Sequence, residues 1–172
     1  IIQSFLVRGC TLRVSPANCS LDEVKAWNAD GFFFSNGPGD PNPTGDYALE
    51  VVEFAKASGK PLFGICLGHQ AIGLSRGMEL IQSPFGPVHG VPSSIISNGN
   101  GLMEKGRFEM TRYNSLVLVG PGDLEVTAFD ETGTLPMEIR DGNTYGVQFH
   151  PESIGSKKGM LCLLYTSPSP RD

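Results

Sequence analysis

Apolar and polar positions along the chain fall into two regimes. Up to about residue 75, short apolar runs alternate with amphipathic helical stretches, the pattern of an α/β layered fold with parallel strands. Residues 1–8 read as part of a helix and Thr11–Ser15 as a strand. Leu21–Trp27 reads as a short helix entered through Ser20, with Glu23 three residues on completing a capping box. Gly31–Ser35 is the next expected strand. Its Phe32-Phe33-Phe34 triplet is continuous rather than alternating, as expected of a strand covered on both faces. The turn formers from Asn36 to Pro43 predict a loop before a helix over residues 46–57. Pro61–Ile65 then reads as a strand and Leu67–Ser75 as the helix beyond it. From Glu79 the runs become shorter and β-prone: Leu80–Gln82, Ser94–Ser97, Phe108–Arg112, Leu116–Val119, Leu124–Phe129, Met137–Arg140 and Thr144–Phe149. Turn pairs such as Asn98-Gly99 and Asp141-Gly142 separate several of them. They predict a smaller antiparallel β layer whose last strand delivers His150 at its end.

Within this pattern one junction carries chemistry. Gly64-Ile65-Cys66-Leu67-Gly68 places a cysteine between two glycines where an apolar strand gives way to a helix. Such a turn pushes a side chain out of the packed layers, and the flanking glycines allow a sharp bend and close approach of a substrate. The following helix directs its positive end at the sulfur, which favours a thiolate. Taken alone, the run fits a tight βα turn around a buried thiol equally well. His150-Pro151-Glu152 supplies what a nucleophilic cysteine needs, a base and a carboxylate to orient it. Their i, i+2 spacing puts both on one side of an extended segment. An oxyanion formed in acyl transfer needs donors, and the amide of Leu67 and the backbone of Gly37-Pro38-Gly39 are the natural ones. The loop leaves a strand at its carboxyl end, where ligand sites of such sheets lie.

Composition narrows the function classes. A chain of 172 residues, 40% hydrophobic and 18% charged, suits one domain with a real core. The net charge of −5, without a clustered lysine or arginine face, argues against nucleic acid. No apolar run reaches transmembrane length and no secretion signal is visible, so no membrane association and a cytoplasmic location are expected. Four scattered cysteines make no disulfide framework, and Cys10 and Cys19 read as small buried hydrophobes. Three histidines without paired spacing offer no metal site, and no cofactor is expected. The chain opens inside a helix with no strand before it, and its end turns Ser/Pro-rich. One domain over residues 1–160, truncated at both ends, with a non-native or disordered tail over 161–172, is the expectation.

With the three motifs in this order, the chain resembles the class I (triad) glutamine amidotransferases, on Gly64-Ile65-Cys66-Leu67-Gly68-His69-Gln70 and Gln148-Phe149-His150-Pro151-Glu152. The resemblance implies a flavodoxin-like α/β architecture. It implies Cys66 as the nucleophile on the glutamine side-chain amide, His150 as general base and acid, and Glu152 as its orienting carboxylate. Gly37, Gly39, Gln70, Ser115 and Leu116 resemble glutamine-binding positions, and His69 resembles a structural member of its helix. The implied partner is a synthase subunit that accepts ammonia. Arg8-Gly9-Cys10, Pro16-Ala17-Asn18-Cys19-Ser20 and Ser35-Asn36-Gly37-Pro38-Gly39-Asp40-Pro41 resemble the small subunit of carbamoyl-phosphate synthetase. Thr111-Arg112-Tyr113-Asn114-Ser115-Leu116 and His150-Pro151-Glu152-Ser153-Ile154 resemble the glutaminase component of anthranilate or aminodeoxychorismate synthase. The second set carries residues that would shape the glutamine pocket and favours a chorismate-using partner, with carbamoyl-phosphate synthetase as the alternative. A stand-alone cysteine amidase or γ-glutamyl peptidase is the rival outside amidotransfer.

Overall fold

The structure is a computed structural model that describes residues 1–16, 18–37 and 41–165. Its centre is a seven-stranded mixed sheet. β1 (Phe32–Phe34), β2 (Leu62–Ile65) and β9 (Thr144–Val147) run parallel, and β8 (Pro136–Asp141), β7 (Glu125–Asp130), β4 (Val88–Ser97) and β5 (Gly106–Asn114) continue the sheet antiparallel. A two-stranded antiparallel sheet pairs β3 (Glu79–Gln82) with β6 (Leu116–Val119). Parallel and antiparallel parts are therefore one continuous surface, with only β3 and β6 standing apart. Helices α3 (Pro41–Ala57) and α4 (Leu67–Ser75) cover one face through Val52, Ala55 and Ile72, which pack with Leu62, Leu118 and Ile139. Alternation along β2 sends Phe63 and Ile65 to the opposite cluster, with Ile95, Met110, Met137 and Phe149.

The helices at the start follow their sequence signals. α1 (Ile2–Leu6) is short, and α2 (Leu21–Trp27) carries the capping box: Ser20 Oγ accepts from Glu23 N at 3.3 Å, while Glu23 Oε2 accepts from Ser20 N at 2.9 Å. α3 begins at Pro41, earlier than the loop of turn formers suggests. Proline is at home in a first helical turn, where its missing N–H would have no partner anyway. Thr11–Ser15 is the expectation that the structure overturns. It forms no strand and is exposed throughout, Val14 at 76%. Alternation of Leu12 and Val14 gives no strand without a neighbour to pair with, and β1 pairs only with β2 among the described residues. Cys10 and Cys19 are half-buried rather than buried.

In the second half the strands extend beyond the sequence signals. β4 reaches back through Gly90 and Pro92, which a register shift between His89 and Val91 accommodates. After β9 the chain turns through residues 148–159 into α5 (Met160–Tyr165), where Cys162 is fully buried. This helix crosses the expected domain limit at residue 160, and residues 166–172 of the expected tail lie outside the described residues. No helix among the described residues is long and apolar enough to cross a membrane.

Candidate active site

Three parallel strands bring the candidate residues to one sheet edge. β1 ends at Phe34, which pairs with Gly64; β2 ends at Ile65, which pairs with Val147 of β9. The segments leaving these strands, with Gly37, Cys66 and His150, therefore emerge side by side, as expected at the carboxyl edge of such a sheet. Gly37 meets Leu67 directly: a Cβ on it would lie 3.1 Å from Leu67 Cδ2. Pro38 and Gly39, the rest of the expected oxyanion loop, lie outside the described residues.

Cys66 sits on a strained elbow. Its φ of 52° and ψ of −98° are unusual for a residue with a side chain. The pose is fixed from both sides, by Cys66 N donating to Val147 O at 2.8 Å and Gln70 N donating to Cys66 O at 3.0 Å. The flanking glycines do something other than bend the chain. A Cβ on Gly64 would lie 2.6 Å from Gly68 C, and one on Gly68 would lie 2.5 Å from Phe34 O. They let α4 press against β1 and β2 with backbone on backbone, which positions the elbow. Leu67, the first residue of α4, has an N–H at the helix end that no intrahelical carbonyl claims.

His150 follows β9 and is held by its own backbone. Its N–H donates to Thr111 O at 2.8 Å, and its carbonyl accepts from Ser156 Oγ at 2.5 Å. Ser156 Oγ in turn accepts from Thr111 N at 2.9 Å. His150 Nδ1 is 2.9 Å from Glu152 Oε1, and Nε2 is buried with no hydrogen-bond partner among the described residues. Burial works against the imidazolium, but Cys66 and Glu152 outweigh it and hold the His150 pKa up at about 9. Burial likewise opposes the Glu152 carboxylate, and the His150 bond overcomes it, leaving its pKa below the usual value. Tyr113 and the imidazole pack in a T-shaped arrangement, with ring centres 4.9 Å apart.

The remaining expected positions occupy the same corner. Gln70 is buried, and its Nε2 donates to Leu116 O at 3.0 Å and to Gln148 Oε1 at 3.0 Å. Ser115 and Leu116 are half-buried at the start of β6, and Ser115 O accepts from Ser83 N at 2.8 Å. His69 is fully buried behind the elbow, and burial pulls its pKa down to about 4, so it is neutral at pH 7. Among the described residues no three His, Cys, Asp or Glu side chains converge as a metal site requires.

Sequence reasoning passed over two neighbours of the sulfur. Gln148 Nε2 lies 3.6 Å from Cys66 Sγ, wholly buried. Its signal was the same two-residue spacing that links His150 to Glu152, continued one step back along the extended segment. Arg112 is buried on β5, and burial lowers its pKa while Asp130 and Cys66 counteract this. No spacing pattern points to it.

A thiol on a strained elbow, an imidazole held by a carboxylate and the first amide of a helix make a set suited to acyl transfer. The profile of the family described as "Glutamine amidotransferase class-I" matches residues 1–164. The chain belongs to this family. It is 38% identical over 160 residues to a carbamoyl phosphate synthase small chain of Neisseria meningitidis, across 89% of this chain and 40% of that one. It is 37% identical over 146 residues to anthranilate synthase component 2 of Azospirillum brasilense, across 81% of this chain and 74% of the relative. The chain thus spans about two fifths of the carbamoyl phosphate synthase small chain it matches. Among solved structures, a GMP synthase-type protein of Thermoplasma acidophilum shares the fold with a TM-score of 0.77 at 18% identity, over 95% of this chain and 86% of that one. A glutamine amidotransferase of Thermotoga maritima does so with a TM-score of 0.63 at 18% identity, over 84% of this chain and 61% of that one.

Proposed function

We propose that the chain hydrolyses the side-chain amide of glutamine through a Cys66 thioester and passes the ammonia to a synthase subunit. The observation that carries this reading is the His150 imidazole held by Glu152 at 2.9 Å and drawn toward its charged form by Cys66. The Cys66 thiolate attacks the amide carbon, and the developing oxyanion takes the Leu67 N–H together with the backbone of the Gly37 to Gly39 loop. His150, charged at neutral pH, gives its Nε2 proton to the leaving nitrogen, and ammonia departs as the thioester forms. The neutral imidazole then takes a proton from water, whose oxygen attacks the thioester. Glutamate leaves and Cys66 is a thiolate again beside protonated His150. Glu152 keeps Nδ1 protonated throughout, so Nε2 is the nitrogen that works. Ser115, Leu116 and Gln70, gathered beside the elbow, form the wall on which the amino-acid end of glutamine rests.

For the acceptor we favour a chorismate-using synthase of the cytoplasm, because the Thr111–Leu116 run resembles that of the anthranilate and aminodeoxychorismate enzymes and lies against the site. The N-terminal motifs and the carbamoyl phosphate synthase relatives support the second reading, the glutaminase small subunit of carbamoyl-phosphate synthetase. The deciding experiment mixes the chain with glutamine and each type of synthase subunit in turn. Stimulated ammonia release with anthranilate or aminodeoxychorismate as product supports the first reading, and carbamoyl phosphate supports the second. Peptide cleavage without glutamine hydrolysis would displace both.

A further inference from the structure

Gln148 is placed to act on the nucleophile, and its neighbours decide how. A side-chain amide has a donor end and an acceptor end, and which one faces the sulfur depends on what holds the other. The Gln148 amide is held by Gln70, and Gln70 is itself held by a group that can only accept, the Leu116 carbonyl. The NH2 end of Gln70 must therefore point into this corner, where it also meets Gln148 Oε1 at 3.0 Å. With its oxygen occupied, Gln148 turns its Nε2 to Cys66 Sγ at 3.6 Å. The Leu116 carbonyl is fixed in the same sense from its other side. Asn114 Nδ2 donates to it at 3.0 Å, and Asn114 Oδ1 accepts at 3.1 Å from Nε of Arg112, which has no acceptor to offer. Donation thus runs from Gln70 through Gln148 to the sulfur, while the run from Arg112 through Asn114 ends on the Leu116 carbonyl.

We propose that Gln148 holds the Cys66 thiolate by donating a hydrogen bond to Sγ, and that Gln70 is the positioning residue that keeps the donor end of Gln148 toward the sulfur. A thiolate accepts a hydrogen bond more strongly than a thiol, so a buried donor aimed at Sγ favours the reactive form and fixes its direction. This rests on the reading of Cys66 as the nucleophile. Among the described residues, His150 after β9 and Arg112 on β5 are the charged groups seen to couple with Cys66, and both stay in place in the variants below.

The test is the pH profile of Cys66 alkylation by iodoacetamide, followed on the Cys66 peptide by mass spectrometry, in the 172-residue chain and in Gln148→Met and Gln70→Met. Methionine keeps length and removes the donor. The expected result is a half-maximal pH about one unit higher in Gln148→Met, with alkylation about tenfold slower below it. Gln70→Met should shift it the same way by less, although Gln70 does not touch the sulfur. Variants that keep the wild-type circular dichroism and the wild-type alkylation profile would overturn the proposal, leaving the two glutamines as fasteners between β9 and α4. If a variant does not fold, the wild type decides: the Gln148 side-chain amide resonance should titrate with the alkylation midpoint of Cys66, and a resonance indifferent to it refutes the hydrogen bond. Alkylation needs no glutamine turnover. A chain without glutaminase activity that still shows the shift would break the functional reading alone.

Discussion

The two sides of the site are held by different physics. The Cys66 side is built from backbone pressed on backbone: α4 lies so close to β1 and β2 that neither Gly64 nor Gly68 has room for a methyl group. The His150 side depends on polar contacts, with its backbone bonded to Thr111 and Ser156 and its ring to Glu152. Tyr113, which covers the ring, is 48% exposed. Close backbone contact, together with the backbone bonds of Cys66 to Val147 and Gln70, places the nucleophile in one strained pose. Hydrogen bonds and charge place the base, so that side answers to pH.

The largest effect should come from removing either reacting group. Cys66→Ala and His150→Ala should each lower glutamine hydrolysis by about a thousandfold or more. A variant keeping a tenth of the activity would detach its residue from the chemistry. Next comes the steric side. Gly68→Ala drives a methyl group into Phe34 O, and overpacking of this kind costs about 1–3 kcal/mol, so thermal melting should fall by several degrees. An unchanged melting temperature would show that the close approach is not what holds the elbow. On the polar side, Ser156→Ala removes the bonds to the His150 carbonyl and the Thr111 amide. Hydrolysis should fall about tenfold while melting falls less than in Gly68→Ala. Equal melting losses would erase the contrast between the two sides.

The smallest expected effect is in the pH dependence of stability. The folded His150 pKa of about 9 lies above its ordinary 6.5. Its contribution is therefore fully present below 6.5 and is lost as pH rises toward 9. Cys66→Ala takes away the leading cause of the upward shift, so the variant should lose less stability than the wild type across that window. Parallel melting curves from pH 6.5 to 9 would place the coupling elsewhere.

Much of this is legible in the sequence, and the reasons differ by residue. The elbow is readable because a cysteine between glycines at a strand-to-helix junction is a local pattern, and His150 with Glu152 because two residues share one side of an extended segment. The role of the glycines is not, since close approach to Phe34 depends on a strand about thirty residues away, beyond the reach of local periodicity. The strand expected at Thr11–Ser15 failed for a related reason: alternation measures fit to a neighbour, and no neighbour is there among the described residues. Glu138 shows the same limit. It lies within the expected Met137–Arg140 strand, and nothing local in the sequence shows that it is fully buried on β8, accepts from Leu102 N at 2.5 Å and has its pKa pushed up to about 7 by burial. Gln148 stood in plain view beside His150, but its meaning came only from the register that sets Ile65 against Val147.

The central claim, that Cys66 is a nucleophile directed at glutamine, is tested most directly by labelling the chain with a glutamine-analogue electrophile at neutral pH. The account predicts covalent modification of Cys66 alone among the four cysteines, suppressed by excess glutamine and lost in His150→Ala. Labelling that spreads over Cys10 and Cys19 regardless of glutamine, or that spares Cys66, would contradict it.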